Sequence, residues 1–332
     1  MWQLPFLMLL IIGTILIIRQ QRNMPYQTNK GPVFGTFYTI TYQSDKDYHD
    51  DIKAALLQVD SALSMFNEQS VISRINQGNG GEVNQMFLDV FEKAMQVSEE
   101  TEGAFDITVA PLVNAWGFGF KNGEMPSRQQ VDSIRQFVGW KKVSLKGKTI
   151  HKADRRVMLD CSAIAKGYGV DVVAKVLKER NVTNYMVEIG GEIITHGISP
   201  KRVPWKVGVI KPTEDSLATG TEYQTILNVT DKAMATSGNY RNFYYKGGKR
   251  YAHTIDPKTG YPVQHNILSA TVLANDCATA DAYATSFMVM GLEGAQRILE
   301  RHSELMAYLI YTDKNNQLQV WFSPSLKDKI EP

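Results

Sequence analysis

Residues 251–291 have the sequence YAHTIDPKTGYPVQHNILSATVLANDCATADAYATSFMVMG, and the other motifs of the chain are interpreted around them. The apolar run Leu268–Ala274 predicts a strand, and the small and apolar residues after it predict a helix. Asp281 and Thr285 lie four residues apart in this helix, so their side chains project from the same face. A carboxylate and a hydroxyl are hard oxygen ligands that Mg²⁺ prefers, with other positions left for phosphate and water. The stretch therefore predicts a metal and phosphate site.

Asp281 also has a structural interpretation, because it could belong to the start of the helix. In that alternative Thr279 is the N-cap residue, and Asp281 interacts with the helix dipole, which is worth about 0.3–1 kcal/mol. The spacing alone does not decide between the two interpretations. The capping alternative leaves Thr285 with no role other than packing.

The composition indicates an ordinary globular protein. The chain has 332 residues, of which 43% are hydrophobic and 21% are charged, enough for one large domain or two small ones. The net charge of +2 does not indicate a nucleic-acid-binding protein. Cys161 and Cys277 lack the spacing of metal ligands, and we interpret them as small buried hydrophobic residues. A single disulfide is the alternative in an oxidising compartment.

The N-terminus carries an apolar run, Leu4–Ile18. The run is shorter than the roughly 20 residues of a typical spanning helix, but it suits a signal anchor. Neither a small-residue cleavage site nor a cysteine for lipid attachment follows it, so we expect an uncleaved membrane anchor over residues 1–22 and a catalytic domain over residues 23–332. Basic residues follow the run up to Lys30 and none precedes it, which by the positive-inside rule favours a cytoplasmic domain.

Strands and helices mix without strict β–α–β alternation, which predicts a single α+β domain rather than a doubly wound fold. A polar linker is expected over residues 20–30. The predicted strands are Phe34–Tyr42, Val143–Leu145, Val157–Leu159, Tyr185–Ile189, Trp205–Ile210, Tyr223–Val229 and Leu268–Ala274, with a closing hairpin of Leu305–Tyr311 and Leu318–Phe322. The predicted long helices are Asp47–Phe66, Asn84–Thr101 with Asn84 as its cap, and Ser162–Arg180.

Two segments that are rich in glycine or other small residues could lie close to a phosphate. Small residues in Asp160–Gly169 at a loop-to-helix junction allow close backbone approach, and Lys166 could reach a phosphate as a point charge. The alternative is a well-capped surface helix with a solvated lysine. The paired glycines after Glu188 could lie against a diphosphate or form an ordinary turn. A standard nucleotide-binding fold is not indicated, because Walker and dinucleotide glycine fingerprints are absent from the sequence.

His253 is the candidate general base. An imidazole titrates near neutral pH when its surroundings do not perturb it, and it can take a proton from a hydroxyl nucleophile. A lone histidine beside a strand is otherwise a structural residue. The surrounding sequence, HTIDPKTG, places His253 just before a Pro- and Gly-containing turn.

Taken together and in this order, the motifs resemble those of the FAD:protein FMN transferase family, also called the ApbE family. HTIDPKTG and ADAYAT are the specific segments, and the resemblance covers essentially the whole chain after the anchor. The matching pieces are Gly35–Tyr38, Ser70–Asn76, Gly103–Asp106, Asp160–Asp171, Gly190-Gly191, Ser237–Tyr240, His253–Gly260, and Ala280–Thr285 with Gly291.

The resemblance implies a single α+β, T-fold-like catalytic domain with mixed or antiparallel sheets. It implies that the protein binds FAD and transfers the FMN half to a threonine hydroxyl of an acceptor protein, releasing AMP. By match to the family motifs, Asp281, Thr285 and the backbone carbonyl of Ala163 would hold Mg²⁺, and His253 would take the proton from the threonine. The residues expected to bind FAD are Phe34, Phe66, Asn67, Ala104, Phe105, Asp106, Asp160, Lys166, Glu188, Gly190, Gly191, Ser237 and Ile255.

The chain departs from the family pattern at a few positions. Many relatives have methionine in place of Phe34 and glycines in place of Ser162-Ala163, but a phenylalanine ring can still stack and Ala163 still offers a carbonyl. A lipobox cysteine is absent. Family members usually act outside the cytoplasmic membrane on flavin-carrying subunits of redox pumps. We therefore expect the inner membrane, with the catalytic domain on the periplasmic side, although the charge bias favours the opposite orientation.

Two other functions use the same motifs. An Mg²⁺-dependent FAD pyrophosphatase would use water to split FAD into FMN and AMP. A non-catalytic FAD-binding protein would need neither His253 nor the pair formed by Asp281 and Thr285. The sequence alone does not separate the transferase from the hydrolase, since they share one site and differ in what reaches it.

Overall fold

One eight-stranded antiparallel sheet organises the described part of the chain. The structure is a computed structural model, and it describes residues 6–14, 24–118, 125–212, 222–239, 243–246 and 249–331. Along the chain the strands are β1 (Tyr26–Val33), β2 (Thr36–Gln43), β3 (Val143–Lys146), β4 (Thr149–Lys152), β5 (Tyr185–Ile189), β6 (Glu192–His196), β7 (Lys206–Ile210), β8 (Tyr223–Asn228), β9 (Ala233–Gly238), β10 (Phe243–Lys246), β11 (Lys249–Ala252), β12 (Ile267–Ala274), β13 (Met306–Thr312) and β14 (Leu318–Phe322). The large sheet has the order β1-β2-β5-β6-β9-β12-β13-β14, and the pairs β3–β4, β7–β8 and β10–β11 are separate.

Two of the helices cross at very short range and carry much of the candidate site. In chain order the helices are α1 (residues 6–14), α2 (His49–Leu63), α3 (Val71–Asn76), α4 (Gln85–Glu100), α5 (Ala110–Ala115), α6 (Arg128–Arg135), α7 (Ser162–Glu179) and α8 (Cys277–Leu299). A Cβ atom added at Gly167 of α7 would lie 2.4 Å from the carbonyl oxygen of Cys277. Only glycine fits at this contact. The absence of a side chain at Gly167 lets the N-terminal parts of α7 and α8 lie directly against each other.

The hydrophobic core lies on both faces of the sheet. Successive residues of a strand point to opposite faces. In β12, Val272 packs into a cluster that contains Phe287 of α8, whereas Leu273 packs into a different cluster with Trp205 and with Leu227 of β8. The helices therefore cover one face of the sheet, and the β7–β8 hairpin covers the other.

Most of the predicted elements are present. The strands predicted at Tyr185–Ile189 and Leu268–Ala274 correspond to β5 and β12, and the closing hairpin is β13–β14. The predicted long helices correspond to α2, α4 and α7. Asn84 caps α4 as predicted, because its side chain accepts a 2.9 Å hydrogen bond from the Phe87 amide. The α+β prediction is confirmed, and all pairings in the large sheet are antiparallel.

Two predictions of local structure are wrong. The polar segment predicted as a linker over residues 20–30 contains the start of β1, which pairs along its whole length with β2. Val157–Leu159 is not a strand. Leu159 is buried, and its amide and carbonyl are hydrogen-bonded to the side chain of Asn76 at 2.7 and 2.9 Å rather than to a neighbouring strand.

Residues 6–14 of the predicted membrane anchor are helical, and their large apolar side chains are exposed. Residues 1–5 and 15–22 of the predicted anchor lie outside the described part of the chain. Among the described helices, none combines the length and the apolar character that crossing a membrane requires. The anchor stays a prediction.

Cys161 and Cys277 are both buried and both free thiols. Burial raises the pKa of each thiol well above its usual value. The interpretation of these residues as small buried hydrophobic groups is confirmed, and the disulfide alternative is not realised.

Candidate active site

A cavity of about 630 Å³ opens where α7 and α8 meet the turn between β5 and β6 and the end of β9. The loop that follows β11 closes another side of it. Residues that are far apart in the sequence come together here. The predicted site residues in its lining are Phe66, Ala104, Phe105, Asp106, Asp160, Ala163, Lys166, Gly190, Ser237, His253, Ile255, Asp281 and Thr285.

The start of α8 is capped by a different residue from the one the sequence suggested. Asp276 is the N-cap, and its side chain accepts a 2.9 Å hydrogen bond from the amide of Thr279. The alternative interpretation, with Thr279 as N-cap, is therefore wrong, and Asp281 lies beyond the first turn of the helix. Because it lies outside the reach of the helix terminus, Asp281 is not accounted for by capping.

Asp281 and Thr285 both line the cavity from α8. The side chain of Asp281 is buried, and its Oδ2 accepts a 3.1 Å hydrogen bond from the amide of Gly167. Burial raises the pKa of Asp281, and the charge of Lys166 and the Gly167 amide offset only part of that effect. The hydroxyl of Thr285 lies 3.1 Å from the hydroxyl of Ser237 at the end of β9. A buried carboxylate with so few partners would be stabilised by a cation.

Ala163, whose backbone carbonyl is the third predicted metal ligand, lies close in sequence to the contact between α7 and Asp281. Ala163 belongs to the first turn of α7 and lines the cavity. Its regular helical donor is the amide four residues later, Gly167. That amide donates to Asp281 across the helix crossing. The same contact therefore brings the carboxylate to the helix turn that carries the Ala163 carbonyl.

These residues fit Mg²⁺. In the part of the chain that the structure describes, no group of three or more His, Cys, Asp or Glu side chains could hold a metal ion. A cation in this cavity would therefore need hydroxyl and backbone oxygens to complete its coordination. Mg²⁺ accepts such hard oxygen donors and commonly keeps positions for substrate phosphates and water.

Lys166 is held by a residue that the sequence analysis missed. Its Nζ lies 2.6 Å from Oε1 of Glu192, the first residue of β6, and the Glu192 side chain is only 3% exposed. Oε2 of Glu192 is buried and has no hydrogen-bond partner among the described residues. Both side chains line the cavity. The sequence offered one signal for Glu192, its position directly after Gly190-Gly191.

Asp106 and Asp160 fix the loops that border the cavity. Oδ1 of Asp106 accepts hydrogen bonds from the amide and hydroxyl of Thr108, at 2.7 and 2.6 Å, and Oδ2 accepts one from the Trp140 amide at 2.8 Å. Oδ1 of Asp160 accepts from the amide of Ser162 at 2.8 Å and from its hydroxyl. Burial raises the pKa of both carboxyls, and these hydrogen bonds counteract it.

His253 lines the cavity at the start of a loop with several anchors. The next residue, Thr254, donates a 2.7 Å hydrogen bond from its hydroxyl to the side chain of Asn239. Further along the loop, the indole of Trp116 donates a 2.7 Å hydrogen bond to the carbonyl of Gly260. The loop backbone that carries the imidazole is therefore held at both ends.

One wall of the cavity is apolar, and the sequence analysis did not predict it as a unit. Its residues come mainly from the segment around α5. Phe66 stands at the rim and is 81% exposed. A cavity lined by both apolar and charged side chains suits a ligand that joins a flat ring system to charged groups. The apolar wall consists of Met65, Phe66, Phe105, Ile107, Val109, Ala110, Val113 and Phe118.

Comparison with known proteins identifies the family. A model described as the ApbE family matches residues 34–310. The chain belongs to the ApbE family. The FAD:protein FMN transferase of Vibrio cholerae is 38% identical over 294 residues, covering 85% of this chain and 87% of the relative. The enzyme of the same name from Haemophilus influenzae is 38% identical over 301 residues, covering 85% of this chain and 86% of the relative.

Solved ApbE structures share the fold. The flavin transferase ApbE from Vibrio cholerae superposes with a TM-score of 0.83 at 35% identity, covering 92% of this chain and 99% of that one. The apo form of the flavinyl transferase ApbE from Pseudomonas stutzeri gives a TM-score of 0.82 at 29% identity, covering 92% and 97%. The family resemblance inferred from the sequence motifs is confirmed.

Four residues predicted from the ApbE pattern to bind FAD are outside the cavity lining, and three of them make local hydrogen bonds. Asn67 is engaged locally, because its amide donates to Asp60 at 3.2 Å. Glu188 and Gly191 are bonded to each other, with the Gly191 amide donating to Glu188 Oε1 at 2.8 Å. The pair closes the turn that presents Gly190 to the cavity. Their predicted contacts with FAD stay predictions.

Phe34 is also outside the lining of the ApbE cavity. It has a positive φ of 49° in the turn between β1 and β2. Its ring packs against α7, where a Cβ atom added at Gly169 would lie 2.7 Å from the ring. The structure thus places this ring on the helix, and its predicted stacking against FAD stays a prediction.

Proposed function

We propose that the chain is an Mg²⁺-dependent FAD:protein FMN transferase that attaches FMN to a threonine of an acceptor protein. One observation carries the proposal: Lys166, His253 and the pair of Asp281 and Thr285 line one cavity together with the apolar wall. A ligand that is a ring system joined to a diphosphate matches this combination. Relatives at 38% identity bear the name FAD:protein FMN transferase.

The reaction is a phosphoryl transfer. The threonine oxygen attacks the phosphorus atom on the FMN side of the FAD diphosphate, and a new P–O bond forms. The P–O bond of the diphosphate breaks, and AMP leaves. The proton of the threonine hydroxyl goes to His253, which acts as general base. Such a reaction needs charge neutralisation and in-line positioning beside the base.

The residues of the chain divide these tasks. Lys166 presents an ammonium group to the diphosphate, and the apolar wall around α5 holds the flavin and keeps water away. Asp281, Thr285 and the Ala163 carbonyl would hold Mg²⁺, which when bound neutralises phosphate charge as a Lewis acid. The Asp106 and Asp160 carboxylates keep the bordering loops in place through their hydrogen bonds.

The N-terminal run and the family support a location for this activity. The apolar segment Leu4–Ile18 would anchor the chain in the inner membrane, with residues 23–332 on the periplasmic side. The acceptor would be a flavin-carrying subunit of a membrane redox pump. An anchored enzyme and a membrane-bound acceptor meet in two dimensions, which raises their effective concentration.

The test incubates the protein with FAD, Mg²⁺ and an acceptor protein, followed by mass spectrometry of the acceptor peptides. We expect an FMN adduct on one threonine and an equal amount of AMP. An acceptor with that threonine replaced by valine should gain no flavin. Release of free FMN and AMP, with the acceptor unmodified, would instead identify a hydrolase.

A further inference from the structure

Lys166 lies within electrostatic reach of two carboxylates but contacts one of them. Its Nζ is 2.6 Å from Glu192. The residue after it, Gly167, donates its amide to Asp281 at 3.1 Å, so the backbone of α7 at Lys166 is next to Asp281. Burial lowers the pKa of Lys166, but the charges of Glu192 and Asp281 and the hydrogen bond to Glu192 raise it, and the pKa lies above its usual value. The ammonium is therefore charged and has two potential partners.

Glu192 is held in place at the turn between β5 and β6. Glu192 is the first residue of β6 and is paired in register with Ile189 across the hairpin turn. The Glu192 side chain is buried at the start of a strand, whereas the more exposed Lys166 has a flexible four-carbon stem and can change partner. Burial raises the pKa of Glu192 and the Asp281 charge raises it further, while Lys166 lowers it. Lys166 thus supplies the compensating charge for two buried carboxylates that repel each other.

We propose that Glu192 is a positioning residue that holds the Lys166 ammonium away from Asp281 and so keeps the Asp281 carboxylate available to a divalent cation. The inference rests on the proposed function only in taking Asp281 as a cation ligand. Without Glu192, the buried ammonium would take the remaining carboxylate as its partner. Lys166 would then compete with the cation at Asp281 and would also leave its place at the diphosphate.

The test is a double-mutant cycle read out by Mn²⁺ binding to the protein without FAD, using electron paramagnetic resonance of free Mn²⁺. Glu192→Gln keeps the side-chain volume and removes the charge. We expect it to weaken Mn²⁺ binding by about tenfold or more, as residues behind metal ligands do. Adding Lys166→Met to this variant should recover most of that loss, because the competing ammonium is gone.

The decisive quantity is the coupling between the two substitutions. Lys166→Met should strengthen Mn²⁺ binding far more in the Glu192→Gln background than in the wild-type background, where Glu192 already restrains the lysine. If Lys166→Met changes the Mn²⁺ affinity equally in both backgrounds, Glu192 acts independently of Lys166 and the proposal is overturned. The proposal is also overturned if Glu192→Gln binds Mn²⁺ as tightly as the wild-type protein, or if the double variant does not recover Mn²⁺ affinity. A wild-type protein that does not bind Mn²⁺ would overturn it as well.

A matched control uses an exposed pair of the same kind. Lys211 and Glu222 form an ion pair at 2.8 Å on the β7–β8 hairpin, and neither lines the cavity. Glu222→Gln should leave Mn²⁺ binding unchanged. Mn²⁺ binding is measured without FAD or acceptor. If the wild-type protein does not transfer FMN, the proposed function is wrong, but the Mn²⁺ result still tests the role of Glu192.

Discussion

At the scale of single residues, Asp281 shows a conflict between function and stability. Its carboxylate is buried, and burial raises its pKa. We expect Asp281→Asn to abolish Mn²⁺ binding and FMN transfer while the melting temperature stays equal or rises, because a neutral amide costs less to bury. Calorimetry and Mn²⁺ titration measure the two effects, with the exposed Asp132→Asn as the control. Full transfer activity in Asp281→Asn would remove the metal assignment.

His253 carries the second prediction at this scale. Replacing it by alanine should lower the rate of FMN transfer by ~10²–10⁴-fold, the usual contribution of a general base. FAD binding should persist, because the loop is anchored through Thr254 and Gly260 rather than through the imidazole. Single-turnover kinetics and flavin fluorescence separate the two quantities. His151→Ala, an exposed position on β4, should behave as wild type; equal rates for both variants would exclude His253 as the base.

The residues that could be predicted from the sequence are those whose chemistry is visible locally. Asp281 and Thr285 have helical spacing, and His253 stands in a specific segment. Glu192 has no such pattern, because its role arises from a lysine on another element. The predicted contact of Phe34 with FAD depends on the direction of one ring, which lies against Gly169 of α7.

At the scale of elements, the orientation of α8 depends on a carboxylate of α7. The two oxygens of Asp171 accept hydrogen bonds from the amides of Cys277 and Ala278, at 2.8 and 2.9 Å. These are the first amides of α8, which have no partner within the helix. Asp171 thereby fixes the end of the helix that carries Asp281, next to the close crossing at Gly167.

Asp171 also predicts a pH dependence of stability. Burial raises its pKa to about 7. In the unfolded chain the carboxyl loses its proton near pH ~4. Between these values the folded state binds one more proton, so this group makes the free energy of unfolding fall as the pH rises from about 4 to about 7.

Urea unfolding at several pH values measures this effect. The wild-type protein should lose stability over that window more steeply than Asp171→Asn, whose side chain does not titrate. The difference between the two profiles isolates Asp171 from the other carboxyls. The exposed Asp328→Asn is the control and should follow the wild-type profile. Parallel profiles for wild type and Asp171→Asn would contradict the assignment.

Predictions of elements succeeded where one periodicity dominates and failed where long-range pairing decides. β5 and β12 are mostly apolar, and most of their residues are buried. β1 has the polar sequence YQTNKGPV and becomes a strand only because β2 offers it a partner. Val157–Leu159 is as apolar as a strand, yet Asn76 takes the hydrogen bonds of Leu159.

At the scale of the whole molecule, the large sheet sets where the N-terminal segment can be cut. The edge strand β1 begins at Tyr26 and pairs with β2 over all its eight residues. The proposed anchor ends at residue 22. A deletion of residues 1–22 therefore leaves the sheet intact and removes the apolar run.

We expect the full-length protein in the membrane fraction and the protein lacking residues 1–22 in the soluble fraction, with equal rates of FMN transfer. The reason is that the anchor supplies membrane affinity, whereas every residue of the cavity lies after residue 64. A deletion of residues 1–35 is the matched comparison, since it also removes β1 and exposes the backbone of β2 as a new sheet edge, which promotes aggregation. Fractionation followed by flavin fluorescence of the acceptor measures both variants. If the protein lacking residues 1–22 stays in the membrane fraction, the membrane contact lies elsewhere in the chain. If it loses FMN transfer, residues 1–22 contribute to catalysis.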